Sequence, residues 1–250
     1  MSSWNDAIYV LATRNAGKIK ELQSMLGRSV IGLNELETKL NLPSKSLGDI
    51  LEPGLTYESN AGLKAAQIAV AICAAKATER YAVITDDSGF EMCGVFWTAG
   101  TDTSIGACDR LQGRPFPGVD TKQFMESHPT ELDAFTYGES VYTDYALYEE
   151  AAAEVGDDSI PPLDRKIRAV TVLALQLVEP GQVYPVVYFH GVVSGTYQWP
   201  PRGSNGFCYD VIFQPDGHSK TFAEMTTEEK CEVSHRQRAI DALKAHSLGV

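Results

Sequence analysis

The stretch from Ile8 to Leu26, IYVLATRNAGKIKELQSML, decides how the rest of the chain is read. Ile8 to Ala12 is a short apolar run of β type, and Asn15-Ala16-Gly17 interrupts it. From Lys18 the spacing changes, and Ile19, Leu22, Met25 and Leu26 fall on one face of a helix. A strand, a loop and a helix in that order open an α/β protein. The pattern then recurs. Residues 41–58 are acidic and punctuated by Pro and Gly, as in a loop. Asn60 to Ala77 is Ala-rich with Leu63, Ile68 and Ile72, and predicts a buried helix. Tyr81 to Thr85 (YAVIT) predicts a strand with Asp86-Asp87-Ser88-Gly89 at its C-terminal end. Residues 92–117 predict a long loop, and 118–127 and 144–155 predict helices. Arg168 to Val178 and Val183 to Val193 are β-type runs around Glu179–Gln182, which predicts a hairpin with a four-residue turn. Strands that alternate with helices early and follow one another later indicate α/β with a mixed sheet. Ligands in such folds favour the C-terminal ends of strands, where Asn15–Lys18 and Asp86–Ser88 would lie.

Composition narrows the function classes. A length of 250 residues and 44% hydrophobic content support one large or two small domains with a sizeable core. The formal net charge of −12 argues against non-specific binding to nucleic acid or to an anionic membrane. Local cations can still serve a small anionic ligand. Cys73, Cys93, Cys108, Cys208 and Cys231 form no CxxC pair, which reads as reduced thiols in a cytoplasmic protein. No secretory leader is visible, and no apolar stretch approaches the ~18 residues of a membrane span.

Three groups of residues suit chemistry. Thr13, Asn15, Gly17 and Lys18 sit between a strand and a helix N-terminus, where backbone N–H groups and the helix dipole favour an anion. The loop is not a Walker A motif: Ala12 and Ile19 stand where Gly and Ser/Thr are needed. On this loop alone an ordinary turn with a solvated lysine is the plainer reading. Asp86 and Asp87, with Glu52 upstream, could converge on Mg²⁺ through hard oxygens. Neighbouring strand residues point to opposite faces, so only one of the two aspartates need face a pocket. Asp-Asp-Ser-Gly reads equally well as a turn.

The third group is PRGSNGFCYD (Pro201 to Asp210) with KTFAEMTTEEKCEVSHR (Lys220 to Arg236). Phe207 follows an Asn-Gly turn and could stack on a nucleobase, or serve as an ordinary core residue. Thr226 and Glu229 have capping-box spacing, and so do Ser234 and Gln237. On one continuous helix Lys230, His235 and Arg236 would diverge, at ~100° per residue. The second spacing predicts a break near Ser234 and a new helix from His235 to about Ala245. His235 and Arg236 would then lie in its first turn, where cations are disfavoured unless an anion or polarised ligand compensates.

Together these segments resemble the inosine triphosphate pyrophosphatase family. The likeness lies in four blocks, in order between about residues 8 and 244: LATRNAGKIKEL (Leu11 to Leu22), EPGLTYESNAGLKA (Glu52 to Ala65), TDDSGFEM (Thr85 to Met92), and Pro201 to Arg236. The resemblance implies an elongated two-lobed α/β fold with a twisted mixed β-sheet flanked by helices. It implies one domain over residues 1–250 with a central cleft, and a homodimer. It also implies Mg²⁺-assisted hydrolysis of ITP, dITP or XTP to a monophosphate and pyrophosphate. Carried over by position, Asp87 is the catalytic acid and a metal ligand, and Glu52 is the second metal carboxylate. Thr13, Asn15, Gly17, Lys18 and Lys64 hold phosphates, and Ser88 contacts substrate. Phe207, Tyr209 and Asp210 hold the base, and Lys230, His235 and Arg236 read its edge.

The chain departs from the family pattern in places. Arg14 stands where Gly is common, Cys208 interrupts a usual Phe-Gly-Tyr-Asp, and Ser59 replaces a Glu. Residues 92–117 and 129–165 look long for the family. Two further readings therefore stand beside the first: a related pyrophosphatase with shifted base preference, and a nucleotide-binding module without turnover.

Overall fold

The computed structural model describes residues 6–48, 52–97, 103–105, 114–126, 128, 130, 132–136, 139–140, 165–206 and 208–248. Among these the strands form an eight-stranded mixed sheet. The chain clusters into two compact units. One contains Met1–Asp87, Thr171–Gly191 and Arg236–Val250, and the other Ser88–Val170 and Val192–His235.

In the first unit β1 (Ile8–Leu11) is followed by α1 (Ala16–Leu26), α2 (Leu33–Lys39) and α3 (Tyr57–Ala74). The opening half of β2 (Tyr81–Trp97) pairs in parallel with β1, in register from Ile8↔Tyr81 to Leu11↔Ile84. The helical spacing seen in the sequence is realised: α1 buries Leu22, Met25 and Leu26. Helix α3 begins three residues earlier than expected because Thr56 caps it, accepting from Ser59 N at 3.1 Å. Its buried stripe of Tyr57, Ala61, Ala65, Ile68 and Ile72 packs small side chains close. Each large apolar residue buried this way contributes roughly 1.5–3 kcal/mol.

Strand β2 corrects the sequence reading. Asp86-Asp87-Ser88-Gly89 is neither a turn nor a strand end; it lies inside a 17-residue strand. The expected loop over 92–117 holds strand instead, with β3 (Thr103–Ile105) and β4 (Arg114–Pro117) antiparallel to β2. Both pair with the Glu91–Trp97 end of β2, beyond its turn-like residues. The ladder shifts register between Met92 and Phe96. The helix expected over 118–127 is a 3₁₀ turn at Gly118–Asp120 followed by α4 (Thr121–Glu126), and residues 132–136 form α5. The expected helix 144–155 lies outside the described residues.

The hairpin is also tighter than expected. Strand β5 (Lys166–Glu179) pairs with β6 (Gln182–Val183) through Glu179↔Gln182, so the turn is two residues, Pro180 and Gly181. Gly181 supplies the left-handed φ of 78° that the turn needs. Pro185 then interrupts the strand, and β7 (Val187–Tyr197) begins two residues on. In the second unit β7 pairs antiparallel with β8 (Phe213–Pro215). That unit's core gathers Phe90, Met92, Phe124, Phe135, Ile167, Tyr197, Phe213 and Phe222.

The predicted break near Ser234 is present. Helix α6 (Thr227–Val233) ends at Ser234, whose backbone is extended (φ −74°, ψ 151°), and α7 (His235–Leu248) starts afresh. Both halves of the Thr226/Glu229 capping box form.

Candidate active site

The loop after β1 is held by its own side chains. Asn15 caps α1, its Oδ1 accepting from Gly17 N at 2.8 Å and Lys18 N at 3.2 Å. The two N–H groups that the sequence offers to an anion are thus met by Asn15. Thr13 Oγ1 accepts from Asn15 N at 3.2 Å and tightens the turn. The loop's cation is Lys18, whose Nζ lies 3.8 Å from Asp86 Oδ2. Arg14 is turned to a different task. Its backbone is not left-handed, so the family's Gly is not required there. Its guanidinium forks onto buried Glu37, at 2.7 Å and 3.0 Å. Glu37 also accepts from Lys45 N and Leu47 N.

Within the same unit Asp86, Asp87, Glu52, Asn60 and Lys64 come together. Alternation along β2 divides the two aspartates, as the sequence requires. The Asp86 carboxylate faces Lys18, while Asp87 meets residues of α3. Lys64 pairs with Glu52, lies 3.7 Å from Asp87 Oδ1, and donates to the backbone O of Asp86 at 2.6 Å. Asn60 Nδ2 donates to Asp87 Oδ2 at 3.1 Å. Thr85 Oγ1 donates to Ala61 O at 2.6 Å and ties β2 to α3.

Burial sets the protonation of this group. It pushes the Asp87 carboxyl up to about 6, helped by the charges of Glu52 and Asp86 and opposed by Lys64 and Asn60. Burial also opposes the Asp86 charge, but Lys18, Arg236 and Lys64 together hold that carboxyl below its usual range. For Lys64 the acids outweigh burial, and its ammonium is held above the ordinary value. A buried carboxyl raised in this way beside a lysine is a candidate proton acceptor.

The donor set fits Mg²⁺. Glu52 and Asp87 converge on one cation, the Lys64 ammonium. Among the described residues no group of three His, Cys, Asp or Glu could hold a metal. Mg²⁺ needs no such cage, because it takes one or two carboxylates and completes its shell with water and phosphate oxygens.

The second unit gathers most of the expected base-reading residues. Lys230 Nζ donates to buried Asp210 Oδ2 at 2.6 Å, and lies 5.3 Å above the Phe222 ring. Tyr209 Oη and His235 Nε2 share a hydrogen bond of 3.1 Å, and His235 stacks on Phe222. Gly206 makes room for Asp210: a Cβ there would come within 2.0 Å of Oδ2. Cys208 has a left-handed φ of 57°, which explains why Gly suits that position. Phe207 lies outside the described residues. Ser88 opens the second unit's share of β2 and is half-buried. Arg236, the first unit's neighbour to His235 in sequence, pairs with Glu21 of α1 at 3.3 Å and adds its charge to that around Asp86.

Sequence reasoning passed over Asn60 and Glu21. Asn60 did carry a signal, an amide four residues before Lys64 on the apolar face of a helix. Glu21 carried none.

Fold and site together define an α/β protein with a capped strand–helix loop and a buried acid–lysine group suited to an anionic ligand and a hard cation. The chain belongs to the Ham1 family, whose model matches residues 9–95 and 101–246. It is similar to the dITP/XTP pyrophosphatase of Brucella melitensis, 33% identical over 249 residues, covering 96% of this chain and 93% of that one. The dITP/XTP pyrophosphatase of Rhizobium meliloti is 34% identical over 257 residues, covering 98% and 97%. Among solved structures it resembles a HAM1 protein from Coxiella burnetii, with a TM-score of 0.63 and 26% identity over 98% of this chain and all of that one. The Staphylococcus aureus Ham1 protein gives a TM-score of 0.61 at 28% identity, covering 96% and 98%. The resemblance read from the sequence is borne out. No helix of the described residues is long and apolar enough to cross a membrane.

Proposed function

We propose that this chain is a nucleoside triphosphate pyrophosphatase that hydrolyses ITP, dITP and XTP to the monophosphate and pyrophosphate. The observation that carries the reading is the buried Asp87, raised to about 6 and set among Glu52, Asn60 and Lys64. Relatives named dITP/XTP pyrophosphatase over nearly the full length support the substrate class.

Asp87 accepts the proton of the attacking water, which strikes the α-phosphorus. Lys18 and Lys64 offset charge on the triphosphate and on the departing pyrophosphate. Thr13, Asn15 and Gly17 shape the phosphate loop, and Ser88 contacts substrate. Glu52 and Asp87 would hold Mg²⁺, which when bound would supply charge neutralisation at the phosphates. The base falls to Phe207, Tyr209 and Asp210, with Lys230, His235 and Arg236 as edge readers. Donors there reward a 6-keto group. The 6-amino group of ATP would leave a buried donor unmet, at a cost of ~1–3 kcal/mol. The same reading makes the protein a cytoplasmic homodimer that cleanses the nucleotide pool.

Cys208 in its left-handed backbone supports one second reading, the same hydrolysis with a shifted base preference. Purified protein with Mg²⁺ against ITP, XTP, GTP, ATP and dUTP separates the two by pyrophosphate release. Release from ITP and XTP above the others is expected. Release from pyrimidine nucleotides alone would leave the second reading, and none from any nucleotide would end both.

A further inference from the structure

Asn60 lies on the apolar face of α3 and is 2% exposed. A buried amide is costly wherever one of its groups is unmet. Here both ends are met, by different parts of the chain. Its Oδ1 accepts from Gly54 N at 2.7 Å, and its Nδ2 donates to Asp87 Oδ2 at 3.1 Å. A backbone N–H can only donate, so Gly54 fixes which end of the amide is oxygen. The NH₂ group must then face Asp87. Oδ2 of Asp87 is committed to the amide, and Oδ1 is the oxygen turned toward Lys64 at 3.7 Å. Gly54 can come this close because it has no side chain: a Cβ would lie 2.5 Å from Asn60 Oδ1. Gly54 follows Glu52 by two residues, so one amide ties the segment carrying one carboxylate to the other carboxylate.

We infer that Asn60 is a positioning residue for the hydrolysis: it commits Asp87 Oδ2, presents Oδ1 on the Lys64 side, and sets the spacing of Glu52 from Asp87. The inference rests on the function proposed above. A purely structural amide would need only the Gly54 half of this bridge. Asn60→Asp separates the halves. It keeps an acceptor for Gly54 N–H at the same size, and replaces the donor with an oxygen that repels Asp87.

The test is steady-state kinetics of Asn60→Asp on ITP, with the Kd for ITP measured calorimetrically without divalent cation. The expected result is a fall in kcat of about 10²-fold, the scale of a misplaced reacting group. KM and Kd should stay within about threefold, because Asp87 acts on the reaction and the nucleotide is held by other residues. Asn60→Leu breaks both halves and should lose kcat at least as far. A kcat for Asn60→Asp within twofold of wild type overturns the inference, as does a loss of ITP affinity that accounts for the loss of kcat/KM. Wild-type turnover read alongside separates the two claims. An inactive wild type refutes the hydrolase reading and the inference with it. Full turnover in both proteins refutes the inference alone.

Discussion

Arg14 replaces a residue that is commonly Gly in the family, and the structure gives it a measurable job. Its guanidinium makes two hydrogen bonds to Glu37, at 2.7 Å and 3.0 Å, and Glu37 is 2% exposed. Arg14→Ala leaves that carboxylate with the N–H groups of Lys45 and Leu47 alone. Breaking a buried pair from one side costs about 3–5 kcal/mol. Arg14 is itself a quarter exposed, so water replaces part of what is lost. The expected loss at pH 7 is therefore about 2–3 kcal/mol, or roughly 5–10 °C in Tm for a chain of this size. The loss also has a pH signature. Arg14 hydrogen bonding is the largest influence on Glu37 and holds its carboxyl down to about 2, against an ordinary 4.5. A depressed carboxyl adds stability above its unfolded value, and loses it as pH falls through the folded one. The gap between wild type and Arg14→Ala should thus be full at pH 7. It should shrink below pH 4.5 by up to about 1.4 kcal/mol per unit. Urea unfolding of both proteins at pH 7 and pH 3.5 measures this. A gap under about 0.5 kcal/mol at pH 7, or one of equal size at both pH values, refutes the assignment.

Two further predictions concern the site. Asp87 must be ionised to accept a proton, so turnover should rise with pH through about 6 and then level off. A cation bound at Glu52 and Asp87 favours the ionised form, so raising Mg²⁺ should move that limb to lower pH. A limb that ignores Mg²⁺ would remove Asp87 from the metal site. In stability the sign is opposite to that of Glu37: a raised carboxyl favours the fold at low pH, and its contribution is lost as pH rises through about 6. At Cys208 the left-handed backbone predicts an order of stability. Cys208→Gly should match or exceed wild type by up to ~1 kcal/mol, and β-branched Cys208→Val should fall below it by ~1–2 kcal/mol. Thermal unfolding that places Val above Gly would contradict the backbone assignment.

What could be read from the sequence was local. Strand β1 and helix α1 are announced by a change of apolar period between Ala12 and Ile19, and both formed. The break at Ser234 followed from two capping-box spacings too close together for one helix. The length of β2 could not be read this way. Asp86-Asp87-Ser88-Gly89 has turn composition, yet β2 runs straight through it and on to Trp97, where β3 and β4 pair with it from Glu91 onward. The candidate site divides along the same line. Glu52, Lys64 and Asp87 were found through their motifs, and the structure brings them together. The partners that orient them were harder to see. Glu21 lies 215 residues from Arg236, so no spacing connects them. Asn60 was visible only as a polar residue on an apolar stripe, a pattern that also fits a frayed first turn.

In the proposed function Asp87 activates water and is not needed to hold the nucleotide. Asp87→Asn keeps the size of the side chain and removes its ability to take a proton. Pyrophosphate release from ITP, measured with the Kd for ITP on the same preparation, tests this most directly. Turnover should be lower by about 10³-fold or more, a barrier raised by roughly 4 kcal/mol, with Kd within about threefold. Release at more than a tenth of the wild-type rate, or a Kd weakened in step with the rate, would contradict it.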